Sequence, residues 1–118
     1  MVIRQGEIYW VELGEPTDSE PGYSHPHVIV QNNVFNSSRM RTVILCPLTS
    51  NLRRGQDPGN VALNPGEAGL TKPSVVIASQ VLTLDRSQLG DYIGILTKSR
   101  VRQILDGLRL LTEPRELE

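Results

Sequence analysis

Only one stretch of this chain repeats its apolar residues with a helical period, and it lies at the C-terminal end. Val101, Ile104, Leu105, Leu108 and Leu111 follow i, i+3, i+4, i+7 spacing, while Lys98, Arg100, Arg102, Gln103 and Arg109 fall largely on the opposite arc. Thr97 is placed to cap the start, and Glu113-Pro114 ends the helix. Full burial of that stripe would contribute ~7–15 kcal/mol of gross transfer energy, an upper bound. Everything before it consists of short β-rich runs cut by turn formers. Residues 6–13 alternate, with Ile8, Trp10 and Glu12 on one face and Glu7, Tyr9, Val11 and Leu13 on the other, so neither face is cleanly polar. Further strands are expected at 28–31, 42–48, 61–63 and 91–95. The longest β-rich run is residues 74–84, whose near-continuous apolar start predicts a central strand buried on both sides. A short helical turn is expected within residues 32–38, and another after Asp85 as its N-cap. The result is a mainly β fold with a C-terminal helix (α+β). One amphipathic helix caps a sheet of five to seven strands, more compatible with a small, strongly bent barrel than with a parallel α/β sheet.

At 118 residues the chain is expected to form one domain over 1–118, large enough for a core without staples. A net charge of -1 gives no global attraction for nucleic acid, so any polyanion site must be a local patch. Aromatic residues make up only 4%, and any stacking surface must come from Tyr9, Trp10, Tyr23, Phe35 or Tyr92. The single Cys46 sits inside the apolar run 43–48 and reads as a buried structural thiol. There is no signal peptide and no apolar run of spanning length, which makes the cytoplasm the expected compartment and a membrane role unexpected.

Candidate chemistry gathers where a polar loop runs into a strand. Residues 14–24 contain two Pro, two Gly and three acids, a loop long enough to suggest function. His25-Pro26 begins an extended segment, because a residue before proline is pushed away from helix. His25 and His27 share a strand face and so could be paired metal ligands, structural or surface residues, or, for His25, a general acid or base. No second cluster of His, Cys or carboxylates completes a metal set. Ser19, Glu20, Thr49, Ser50 and Asn51 flank strand ends, where turn or cap duty competes with chemistry. Arg39, Arg41, Arg53 and Arg54 fall in a stretch without Asp or Glu, either a phosphate-binding patch or a solvated surface. No dinucleotide, P-loop or nucleophile-elbow motif is present, and no cofactor is expected.

Five stretches in order, residues 6–13, Ser19-Glu20, residues 25–32, residues 47–50 and residues 72–80, resemble the MazF/PemK/Kid toxins over nearly the whole chain. The resemblance implies an SH3-like, CcdB/PemK-type small barrel, a homodimer, and metal-independent cleavage of single-stranded RNA. It also implies a MazE-like antitoxin whose tail occupies the RNA groove. Cleavage in such toxins starts with 2′-OH attack on the adjacent phosphate and leaves a cyclic phosphate and a 5′-OH. In much of the family an Arg before the strand Pro and a Thr after the third strand carry this work. Thr49 matches the Thr, but His25 stands at the Arg position. Imidazole exchanges a proton near neutral pH and lacks the permanent bidentate charge of guanidinium. Three outcomes therefore stay open: His25 as acid or base, Arg53 or Arg54 supplying the charge, or weak activity. Ile77 and Ser79 stand where the Kid-like branch has its Arg and Asp, so that scheme is excluded. The expected catalytic residues are His25, Thr49 and Ser19, and the expected RNA-binding residues are Glu20, Asn51, Arg53, Arg54 and Gln80. The alternatives are an inactive dimer that binds RNA or antitoxin, and a CcdB-like protein that binds a topoisomerase without chemistry.

Overall fold

Alternation along the long strands feeds two apolar clusters rather than one core and one wet face. The computed structural model describes residues 1–13 and 24–117. Among these, the strands are β1 (Glu7–Glu12), β2 (Ser24–Ile29), β3 (Thr42–Thr49), β4 (Val61–Leu63), β5 (Ser74–Val76), β6 (Leu82–Asp85) and β7 (Tyr92–Ile95). The α-helices are α1 (Asn33–Asn36) and α2 (Lys98–Thr112). The strands pair antiparallel in the order β4-β5-β3-β2-β1-β7, with β6 also on β3. They form a half-barrel carrying one C-terminal helix, the mainly β architecture that the sequence pattern implies.

Ile8, Val28, Cys46 and Leu48 point into the cluster covered by α2. Their strand neighbours Tyr9, Val11, Ile29, Val43 and Leu45 point into a second cluster closed by Ile3 and Leu89. Both faces of the central strands are therefore apolar, and Cys46 is fully buried, its thiol pushed up to about 12 by desolvation. None of the described helices is long and apolar enough to cross a membrane.

Residues 74–84 do not form one central strand. From Leu48↔Val76 to Leu45↔Leu82, β3 moves three residues while the paired segment advances six. The surplus is taken up by the 3₁₀ turn Ala78–Gln80 opposite Pro47. Proline has no N–H for a continuous ladder, and its carbonyl is taken by the Ile77 N–H at 2.9 Å. β2 also starts earlier than expected, at Ser24, and runs through His25 and Pro26.

The local turns form where their capping residues sit. Asn32 caps α1 through Phe35 N–H, and Asp85 makes a reciprocal capping box with Ser87 and Gln88. Hydrogen bonds from Ser87 and then Arg41 pull the Asp85 carboxyl down to about 2. Thr97 caps α2 through Arg100 N–H. The apolar stripe of α2 is only partly buried. Ile104 is fully enclosed, Val101, Leu105 and Leu108 are half-buried, and Leu111 is 42% exposed. The helix approaches the 57–60 turn through Gly107, where a Cβ would run into the Gly59 carbonyl.

Candidate active site

A cleft of about 430 Å³ opens at one end of the sheet, between the β1–β2–β3 strand ends and residues 69–74. Its apolar lining comes from Trp10, Pro26, Leu48, Leu70 and Ile93, and its polar lining includes His25, Thr49, Ser50, Lys72 and Ser74. The sheet brings these together through register. Pro26 lies opposite Trp10 and His25 opposite Val11, while Thr49 ends β3 opposite Val75. His25, extended as a residue before proline must be, is part of the cleft lining.

Thr49 is oriented by its neighbour. Its Oγ1 accepts the Asn51 N–H at 3.1 Å, which occupies one lone pair and leaves the hydroxyl proton available to donate. The opposite wall is tied to α2. The Arg100 guanidinium gives Nε to Glu67 Oε1 at 2.9 Å and Nη2 to Oε2 at 2.8 Å, a bidentate fork that holds the Glu67 carboxyl below its usual range. Ala68 follows at φ 51, in the left-handed region where a Cβ is disfavoured, and its carbonyl lies where a Cβ on Gly94 would be. Ser74 Oγ then donates to the Lys72 carbonyl at 3.1 Å, pinning the backbone that presents the ammonium. Lys72 is the only Lys or Arg in the described lining. Sequence reasoning placed it in a matching stretch without assigning it a role; the available signal was a lone cation in a Thr-Lys-Pro turn just before a strand.

His27 has a different environment from His25. It is fully buried, its Nδ1 sits 2.9 Å from the His25 carbonyl, and its Nε2 has no partner among the described residues. A ring that faces a carbonyl through Nδ1 carries its proton there, and desolvation lowers its pKa from 6.5. No group of three or more His, Cys, Asp or Glu gathers among the described residues. Because the folded-state value is depressed, the unfolded chain takes up the proton more readily. Stability should be full above about pH 6.5 and fall as the pH drops below it, with a limiting slope of about 1.4 kcal/mol per pH unit. Urea unfolding at pH 7.5 and 5.5 should show this loss for the wild type and a smaller one for His27→Asn. An equal loss in both would exclude His27 as the source.

The other expected residues divide by position. Ser19 and Glu20 lie outside the described residues. Asn51 uses its Oδ1 to cap the 3₁₀ turn Leu52–Gln56 through Arg53 N–H. Arg54 is paired with Asp57 at 2.7 Å, and neither Arg53 nor Arg54 lines the cleft. The four-arginine stretch is also divided: the eight residues of β3 separate Arg39 and Arg41 from Arg53 and Arg54 by roughly 25 Å of extended chain. Arg41 is occupied by Asp85 at 3.1 Å. Gln80 ends the turn Ala78–Gln80 and is not part of the cleft lining.

Comparison with known proteins places this geometry in a family. The chain is 38% identical over 109 residues to Endoribonuclease MazF2 of Mycobacterium bovis, covering 92% of this chain and 96% of that one. It is 30% identical over 107 residues to Endoribonuclease MazF of Staphylococcus epidermidis, covering 91% of this chain and 88% of the relative. Among solved structures, a mycobacterial endoribonuclease in complex with its cognate antitoxin superposes with a TM-score of 0.76 at 30% identity, over 97% of this chain and 99% of that one. The family profile for the PemK-like, MazF-like toxin of type II toxin-antitoxin systems matches residues 4–112. With the half-barrel, its terminal helix and this breadth of match, the chain belongs to the PemK-like, MazF-like toxins of type II toxin–antitoxin systems.

Proposed function

We propose that this protein is an endoribonuclease toxin that cleaves single-stranded RNA in the cytoplasm, works as a homodimer and is neutralised by a MazE-like antitoxin. The observation that carries this reading is the meeting of His25, Thr49 and Lys72 in one open cleft. The names of the curated relatives and the antitoxin-bound solved relative support it.

Each group has a separate task. Neutral His25 takes the proton of the ribose 2′-OH, and the freed oxygen attacks the adjacent phosphorus. The P–O5′ bond breaks, and its electron pair leaves on the 5′ oxygen. A water in the open cleft protonates that oxygen, and the resulting hydroxide takes the proton held by His25, so the base is regenerated. The products are a 2′,3′-cyclic phosphate and a 5′-OH, so no water is added across the bond. Thr49 donates its hydroxyl proton to a non-bridging oxygen, and the Lys72 ammonium offsets the charge that builds on the phosphoryl group. Lys72 thereby supplies the permanent charge missing at position 25, in place of Arg53 or Arg54. Ser19 remains the third catalytic candidate, Glu20 and Gln80 remain candidates for contacts with the flanking RNA, and Asn51 acts through Thr49.

Incubating the protein with a long single-stranded RNA in the presence of EDTA tests the reading. Cuts at a restricted set of sites, with cyclic phosphate and 5′-OH ends, are expected. Intact RNA at high protein concentration would overturn it.

A further inference from the structure

Trp10 is the only tryptophan of the chain, and its side chain is 43% exposed. It is held rigidly by its backbone: its N–H donates to the Asp91 carbonyl at 2.9 Å, and its own carbonyl accepts the Gly90 N–H at 2.7 Å. Gly90 allows that approach, because a Cβ there would meet the Trp10 carbonyl. Across the β1–β2 pair its neighbour is Pro26, the residue after His25. Phe35 and Tyr92 are also exposed, but neither lines the cleft. Trp10 is therefore the only Phe, Tyr or Trp in the described lining, which it shares with Lys72, Thr49 and Ser50.

A large, pre-positioned ring left in water in one cleft with a cation and hydroxyls has the elements of a nucleotide subsite. The ring supplies a face for a base, the ammonium meets a phosphate, and the hydroxyls reach base or sugar edges. A cleft of about 430 Å³ is large enough for one nucleotide. We infer that Trp10 is the stacking platform for a nucleobase flanking the cleaved phosphate, and so a specificity-determining residue of this cleft. This inference rests on the RNA-cleaving reading above. A stacked indole discriminates weakly among bases by itself but sets which base plane the surrounding hydroxyls can read.

The test uses the intrinsic fluorescence of Trp10. Single-stranded oligonucleotides built wholly from 2′-deoxy or 2′-O-methyl residues lack the attacking hydroxyl and so report binding without cleavage. Titration should quench Trp10 emission saturably, and an oligonucleotide with an abasic residue at the stacked position should bind with the quench lost. Trp10→Ala should weaken binding by roughly 5- to 150-fold, measured by anisotropy of a labelled oligonucleotide, while Trp10→Phe should retain most of it. Circular dichroism of each variant checks folding. No binding, binding without quench, or unchanged affinity in Trp10→Ala would overturn the inference. So would quenching confined to an acidic peptide, which would assign the face to a protein ligand. Failure of the two readings is separable. Quenching with all-ribose RNA left intact retains the subsite and removes the nuclease; cleavage without quenching does the reverse.

Discussion

Replacing His25 with alanine is expected to lower metal-free RNA cleavage by about 100-fold or more, the usual effect of removing a positioned acid or base. The imidazole is partly exposed and contributes to neither apolar cluster, so a well-folded variant is expected. Loss of rate should therefore come without loss of thermal stability. Single-turnover cleavage of a fluorogenic RNA, alongside a melting curve, measures both. His25→Ala activity equal to wild type would move the proton transfer to another group and end the mechanism proposed for the cleft. In the same assay, the rate loss of Lys72→Ala should shrink as ionic strength rises if Lys72 acts mainly in binding, because deleting a phosphate contact lowers the salt dependence. A salt-independent rate loss would place its effect on the phosphoryl transfer itself.

Ile104→Ala should cost about 2–5 kcal/mol of stability, because Ile104 is fully enclosed where α2 meets the sheet. The midpoint of thermal unfolding should fall by roughly 10–20 °C for a domain of this size. Leu111→Ala, on the same stripe but 42% exposed, should cost less than about 1 kcal/mol. From helical period alone the two positions are equivalent. Equal losses in urea unfolding would mean that the outer turn of α2 is covered in solution, as by a second copy of the chain.

That pair illustrates how legible the fold was. The start of α2 at Thr97, its end at Glu113 and the turns at Asn32 and Asp85 are local events, set by side chains that bond neighbouring N–H groups. They could be read one stretch at a time. The division of residues 74–84 could not, because it depends on Pro47 lying across from that run in the folded sheet. The same limit applies to the arginines, which adjoin in sequence while the length of β3 keeps them apart.

For the candidate site, the chain order alone identified His25 and Thr49 through their matching positions and left His27 ambiguous. Burial separated the histidines: His25 belongs to the lining of a cleft, and the His27 imidazole is enclosed with its Nδ1 facing a carbonyl of its own strand. Lys72 and Trp10 gained their roles only from tertiary structure, since neither is near His25 in sequence. The sequence by itself determined the mainly β architecture, the terminal helix, the capped turns and the family resemblance, all of which depend on local patterning or on order along the chain. The tertiary structure decided which cation, which ring and which histidine share a cleft with Thr49. Convergence of that kind depends on strand register and on the wall braced by Glu67 and Arg100, both long-range pairings with no local sequence signature.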